Sequence, residues 1–149
     1  MLFKFGDRLV LFESTGELGV DLLDWTGFMN NKWHNLYTKL VFRKLHYEFN
    51  EDELEALEVF AQKVKGKKYK VNPVKIWRKK STRDATDNIK ETKSYFWSEL
   101  VASAFKRIGL LPENISATQY WPSDFSTRSN LDLQKGAWLG DEYLIDFSL

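Results

Sequence analysis

Apolar positions along the chain follow two different periods, and the switch between them marks the predicted elements. Residues 2–5 and 8–13 read as two strands joined by the Gly6-Asp7 turn. Within the second, Leu9-Val10-Leu11-Phe12 is an unbroken apolar run, which predicts a strand covered on both faces. Gly16 and Gly19 bracket a turn, and Val20–Leu23 resumes as a short strand. Asp24 is placed to cap a short aromatic helix over Trp25–Asn30. Leu40-Val41-Phe42 with Leu45 predicts a further strand, bordered by Lys39, Arg43 and Lys44.

The period then lengthens. Asn50 followed by Glu53 is a capping-box pattern, and Leu54, Leu57, Phe60, Ala61 and Val64 form a stripe at spacings of three and four. Gly66 stands where such a helix ends. A second helix carries Leu100, Val101, Ala104, Phe105 and Ile108, and is closed by Gly109 with Pro112 beyond. Residues 112–130 read as an ordered loop with short turns, and Leu131–Leu133 and Tyr143–Phe147 as closing strands. Strands first, helices between and strands last predict an α+β class. The 149 residues fit a single domain over 1–149, with no internal repeat.

Composition narrows the chemistry. The chain contains no Cys, so disulfides, thiolate metal sites and a cysteine nucleophile are excluded for this sequence. His34 and His46 are too few for a three-histidine metal site and are read as structural or surface residues. No apolar run approaches the roughly 20 residues that span a bilayer, and the first residues lack a signal-peptide pattern. These features predict a cytoplasmic protein. Met1 begins almost inside the first strand, which predicts that a preceding strand is missing from this sequence.

A net charge of +1 gives no global attraction to nucleic acid or membrane. The charge is nonetheless segregated. Residues 63–83 hold ten basic side chains and no acid, leaving 12 basic against 21 acidic elsewhere. Lys67, Lys68, Lys70, Lys75, Arg78, Lys79 and Lys80 form the centre of this stretch, with Tyr69 and Trp77 interleaved. It reads either as a solvated connector or as a patch for an anionic membrane surface or nucleic acid.

The most informative stretch is Ser94-Tyr95-Phe96-Trp97-Ser98-Glu99-Leu100-Val101, running on to Gly109 and Pro112. It resembles the central motif of the circularly permuted papain-like amidases and peptidases, a branch of the NlpC-type cysteine hydrolases. In that family an aromatic pair precedes Cys-Ser-Glu-Leu-Val, and the Cys opens the central helix. Gln119-Tyr120-Trp121-Pro122-Ser123-Asp124-Phe125-Ser126 is similar to the family's Tyr-Trp-Pro-x-Asp-Phe segment. Gly136-Ala137-Trp138-Leu139-Gly140 through Ile145-Asp146-Phe147 also resembles the family, as does Leu11-Phe12-Glu13-Ser14-Thr15-Gly16 with Gly19-Val20. The resemblance runs from about residue 2 to 147. It implies a papain-like fold in permuted order, a small antiparallel sheet on a central helix, truncated at its N-terminal side. It implies no cofactor or metal, and substrates that are peptide- or lipid-like amides or esters.

In such a site a cysteine on the first helical turn gains thiolate character from the dipole, and a histidine from the sheet completes the pair. Here the nucleophile position is Trp97, which can do neither, and the family's histidine lies in the strand ahead of Met1. Ser98 is rotated by about 100° from that position and is expected to point away from the cleft. By resemblance, Glu13 matches the family's third polar position; read from the strand alone it is a half-exposed strand-end carboxylate. Tyr120 and Trp121 read either as core aromatics or as residues lining the cleft. Glu99 is expected as a first-turn acid beside them. The reading that follows is a degenerate, catalytically inactive member of the family. A second reading restores an active cysteine hydrolase or acyltransferase, since one base separates Trp from Cys codons and an upstream start would supply the histidine strand. A third is a binding module for anionic surfaces acting through residues 63–83.

Overall fold

The computed structural model describes residues 1–5, 8–15, 19–67 and 87–147. The Gly6-Asp7 turn, Gly16, and basic residues 68–83, with Tyr69 and Trp77, lie outside them. The fold is mixed, with helices and two small antiparallel sheets, in agreement with the α+β expectation.

Strands β1 (Leu2–Phe5), β2 (Arg8–Thr15) and β3 (Gly19–Asp24) form the first sheet in sequential order. Leu11 is central in it, opposite Leu2 on one side and Leu23 on the other. Leu9, Val10 and Leu11 are half-buried, so the apolar run is less covered than its sequence predicts. Helix α1 (Trp25–Asn30) and the later helix over Asp87–Arg107 contact β2, yet these positions are not fully closed to solvent. Asp24 caps α1 as expected, its carboxylate accepting from the Thr26 N–H at 2.9 Å. Phe28 of α1 is buried in an aromatic group with Trp25, His34 and Phe147.

The second sheet pairs β4 (Val41–His46) with β5 (Trp138–Leu144), with a bulge opposite Lys44. Here two expectations are corrected. Leu131–Leu133 forms no strand, because none of the described strands lies beside it: Leu133 instead fills the core. The closing strand starts at Trp138 rather than Tyr143, immediately after Lys135 and Gly136, which turn the chain through positive φ values of 59° and 72°. Arg43 fastens the two strands together. Its guanidinium donates to the carbonyls of Gly140 (2.6 Å), Phe125 (2.7 Å) and Leu139 (2.9 Å). On the neighbouring face the His46 ring stacks on Trp138 at 3.7 Å. A Cβ at residue 140 would come to 3.1 Å from His46 Nε2, so a larger side chain there would have to shift the stacked ring.

Helix α2 (Glu51–Val64) begins with the predicted capping box. Its buried stripe differs from the expected one. Leu54 is 47% exposed, and Glu53, 7% exposed, occupies the core-facing position with Leu57 and Val64. A buried carboxylate is tolerated because it is fully partnered. It accepts from Lys135 Nζ (2.6 Å), the Tyr47 hydroxyl (2.7 Å) and its own cap, the Asn50 N–H (3.2 Å). Lys135 also donates to the carbonyl of Ile108, so this cluster ties α2 to the end of the next helix.

These bonds set a pH dependence. Hydrogen bonds from Lys135, then Tyr47, hold the Glu53 carboxyl below its ordinary value of 4.5, with burial opposing them. The bond to Glu53 raises the Lys135 ammonium above 10.5. The carboxylate therefore stabilises the fold above its unfolded pKa and loses that contribution as pH falls through its lowered folded value. The ammonium contributes below its unfolded pKa and loses it as pH rises through the raised one. The gap in Tm between the native protein and Glu53→Gln is expected to be widest between about pH 5 and pH 10 and to close on either side. Because the Lys135 side chain is 45% exposed, screening keeps this gap modest. A gap unchanged down to about pH 2 would show that the pair contributes nothing.

Helix α3 (Asp87–Arg107) is the spine of the fold. Its Leu100 meets Val20 of β3 and Val64 of α2 in one buried cluster. Ala102, Ala104, Phe105 and Ile108 join Leu57, Leu110, Leu111, Tyr120, Leu133 and Ala137 in the main core. Gly109, at φ 73°, ends the helical run as expected.

Candidate functional site

The residues singled out by sequence fall on α3, on β2 and on the loop after α3. The structure corrects their setting first. Helix α3 starts at Asp87, well before the motif, because the polar stretch 87–93 continues the helix without an apolar stripe to announce it. Trp97 and Glu99 therefore stand in the helix interior and not in its first turn. The dipole at the helix N-terminus, which falls off within a turn, does not act at position 97.

Ser98 is 2% exposed, and its hydroxyl donates to the Tyr120 carbonyl at 2.8 Å. That bond gives the hydroxyl proton to a backbone carbonyl and links α3 to the loop that follows it. Trp97 and Glu99 flank it and are half-buried. Tyr120 is buried and Trp121 half-buried. The structure thus brings Ser98 and Tyr120 together. Glu13 lies on β2 opposite Asp21, and β2 contacts α3; the Glu13 side chain lies outside the description. His34 and His46 are each engaged in ring stacking, on Phe147 and Trp138 respectively.

The loop after α3 is folded into two short 3-10 turns, Ala117–Gln119 and Pro122–Phe125. Ser116 caps the first, and Asp124 closes back on the second by accepting from the Trp121 N–H at 2.7 Å. Arg43, through the Phe125 carbonyl, fixes the far end of that turn. The loop encloses an open pocket of about 410 Å³ between Pro112 and Gln134. Its walls include Ile115, Gln119, Tyr120, Asp124, Leu131 and Asp132. Burial raises the Tyr120 phenol above its ordinary value, and the nearby Asp124 carboxylate raises it further.

The sequence leaves Tyr120 between core and cleft; in the structure it belongs to the core cluster and also lines the pocket, whose carboxylates the sequence does not single out. The one available signal was the density of Asp, Asn, Gln and Ser in a loop too rich in turns to be a linker. Of the basic stretch, Lys67 is described and exposed at the end of α2, near exposed Lys63 and Lys65. Lys68, Lys70, Lys75, Arg78, Lys79 and Lys80 lie outside the described residues. Among the described residues no group of three or more His, Asp or Glu is arranged to hold a metal ion. No described helix is long and apolar enough to cross a membrane. No protein-family model, curated protein or solved structure matches this chain.

Proposed function

We propose that the chain is a non-catalytic binding module built on a permuted papain-like scaffold. The observation that carries this reading is position 97. An indole stands where the resembling family has its thiol, in the interior of α3, and the adjacent Ser98 hydroxyl is committed to the Tyr120 carbonyl. An indole supplies no nucleophile for acyl transfer, and the Ser98 proton is given to a carbonyl. The central helix against an antiparallel sheet, with the Tyr-Trp-Pro segment packed beside it, supports the scaffold part of the reading.

The test is a turnover assay on purified protein with chromogenic amide, ester and thioester substrates, alongside Trp97→Ala. Neither protein is expected to exceed the buffer rate. Turnover by the native protein, whether retained or lost in Trp97→Ala, would overturn the non-catalytic reading.

A further inference from the structure

We infer that the pocket enclosed by residues 112–134 binds an organic cation, an ammonium or guanidinium group on a short apolar stem. This rests on the binding-module reading and names the ligand class for it.

Three observations converge on that chemistry. The first is size: a pocket of about 410 Å³ falls within the ordinary range of small-molecule sites. The second is charge. Asp124 and Asp132 both line the pocket, and no Lys, Arg or His does. The neighbouring cations are engaged elsewhere. Lys106 donates to the carbonyls of Glu113 and Ile115, and Lys135 is bound to Glu53 and the Ile108 carbonyl. Arg128 is exposed and is not among the lining residues. The third is a hydroxyl open to a ligand. Tyr120 is 7% exposed and lines the pocket, and its hydroxyl has no partner among the described residues. Asp124 uses one oxygen for the Trp121 N–H, which leaves the other for a ligand.

Two carboxylates together with Ile115 and Leu131 in one lining fit a group that is charged at one end and apolar along its length. An anion would meet two carboxylates and no counter-charge. The backbone around the site is already fixed by the Ser98 bond to Tyr120 and by Arg43 at Phe125, so the ligand has little ordering left to do.

The experiment is an NMR amide-shift titration of the full chain at low salt. Butylguanidinium and butylamine serve as probes, butanol as the neutral isostere and butyrate as the anion. Saturable shifts confined to residues 112–134 are expected with the cations, with butanol and butyrate at least about tenfold weaker. Asp124→Asn/Asp132→Asn should weaken cation binding by about tenfold or more. Asparagine at 124 keeps an acceptor for the Trp121 N–H. Should the double variant not fold, Asp132→Asn alone, at an exposed side chain, carries the comparison through a reduced affinity.

Three results would overturn the proposal: no saturable shift with either cation up to about 20 mM, butanol binding as tightly as butylamine, or cation binding untouched by loss of the carboxylates. The turnover assay reads a different property. Hydrolysis would remove the non-catalytic reading and leave cation binding as measured, and the absence of binding would leave the turnover result standing.

Discussion

Leu100→Ala is expected to destabilise the protein by about 3 kcal/mol or more, lowering Tm by roughly 6–12 °C for a chain of this size. Leu100 is 0% exposed and sits where α3, β3 and α2 converge, against Val20 and Val64. Truncation removes buried methyl groups and leaves a void, and the three elements around it are joined to other parts of the fold that resist collapse. The main-chain bond from Gly66 N–H to the Val20 carbonyl, 2.7 Å, holds the end of α2 against β3. Urea unfolding followed by fluorescence supplies the measurement, with an unchanged slope showing that the loss is in the folded state. The contrast that makes this specific to the structure is Leu54→Ala. The helical spacing puts both leucines in a core stripe, yet Leu54 is 47% exposed and its loss is expected to fall within about 0.5 kcal/mol. Equal losses at the two positions would contradict the observed orientation of α2.

Arg43→Ala is the second large effect, expected to cost about 2–4 kcal/mol. One side chain serves three carbonyls, on Phe125, Leu139 and Gly140, in a partly buried setting. Removing it leaves acceptors without a donor and unfastens β5 from the Pro122–Phe125 turn. Arg43→Lys should recover only part of the loss, since an ammonium is a point charge and lacks the planar fork that reaches three acceptors at once. Hydrogen exchange provides a local check. Amides of β5 should lose protection in Arg43→Ala more than those of β1–β3, which Arg43 does not touch. Uniform loss across both sheets would mean that the clamp acts on the whole fold and not on β4–β5.

What the sequence revealed and what it hid divide along chain separation. Asp24 and the Asn50–Glu53 box are local devices, and the elements they start lie where the pattern places them. The start of α3 was hidden because Asp87–Lys93 is polar and has no apolar stripe. Glu53 reads as a surface cap because the lysine that permits its burial lies 82 positions further along. Residues 131–133 alternate like a strand, but alternation does not supply a neighbouring strand to pair with. Of the candidate site, Ser98, Tyr120 and Trp121 were visible as a motif. The hydrogen bond between Ser98 and Tyr120 was not, since it joins a helix to a loop 22 residues on. The pocket was hidden for the same reason: it is made by how the 112–134 segment folds back on itself.

The pairing of β4 with β5 also sets an order of events during synthesis. Strands β1–β3 and α1 are complete within the first 30 residues and draw on one another for sheet pairing. Strand β4 emerges soon after, but the carbonyls that Arg43 holds are 82, 96 and 97 residues downstream. At translation rates of about 5–20 residues per second, β4 waits on the order of 5–20 s for its partner. Throughout that interval a strand carrying Val41, Phe42 and Leu45 has neither of its edges paired to β5 and no core to cover it. Through that wait Arg43 and Lys44 are the charges on the strand that oppose edge-to-edge pairing with other chains.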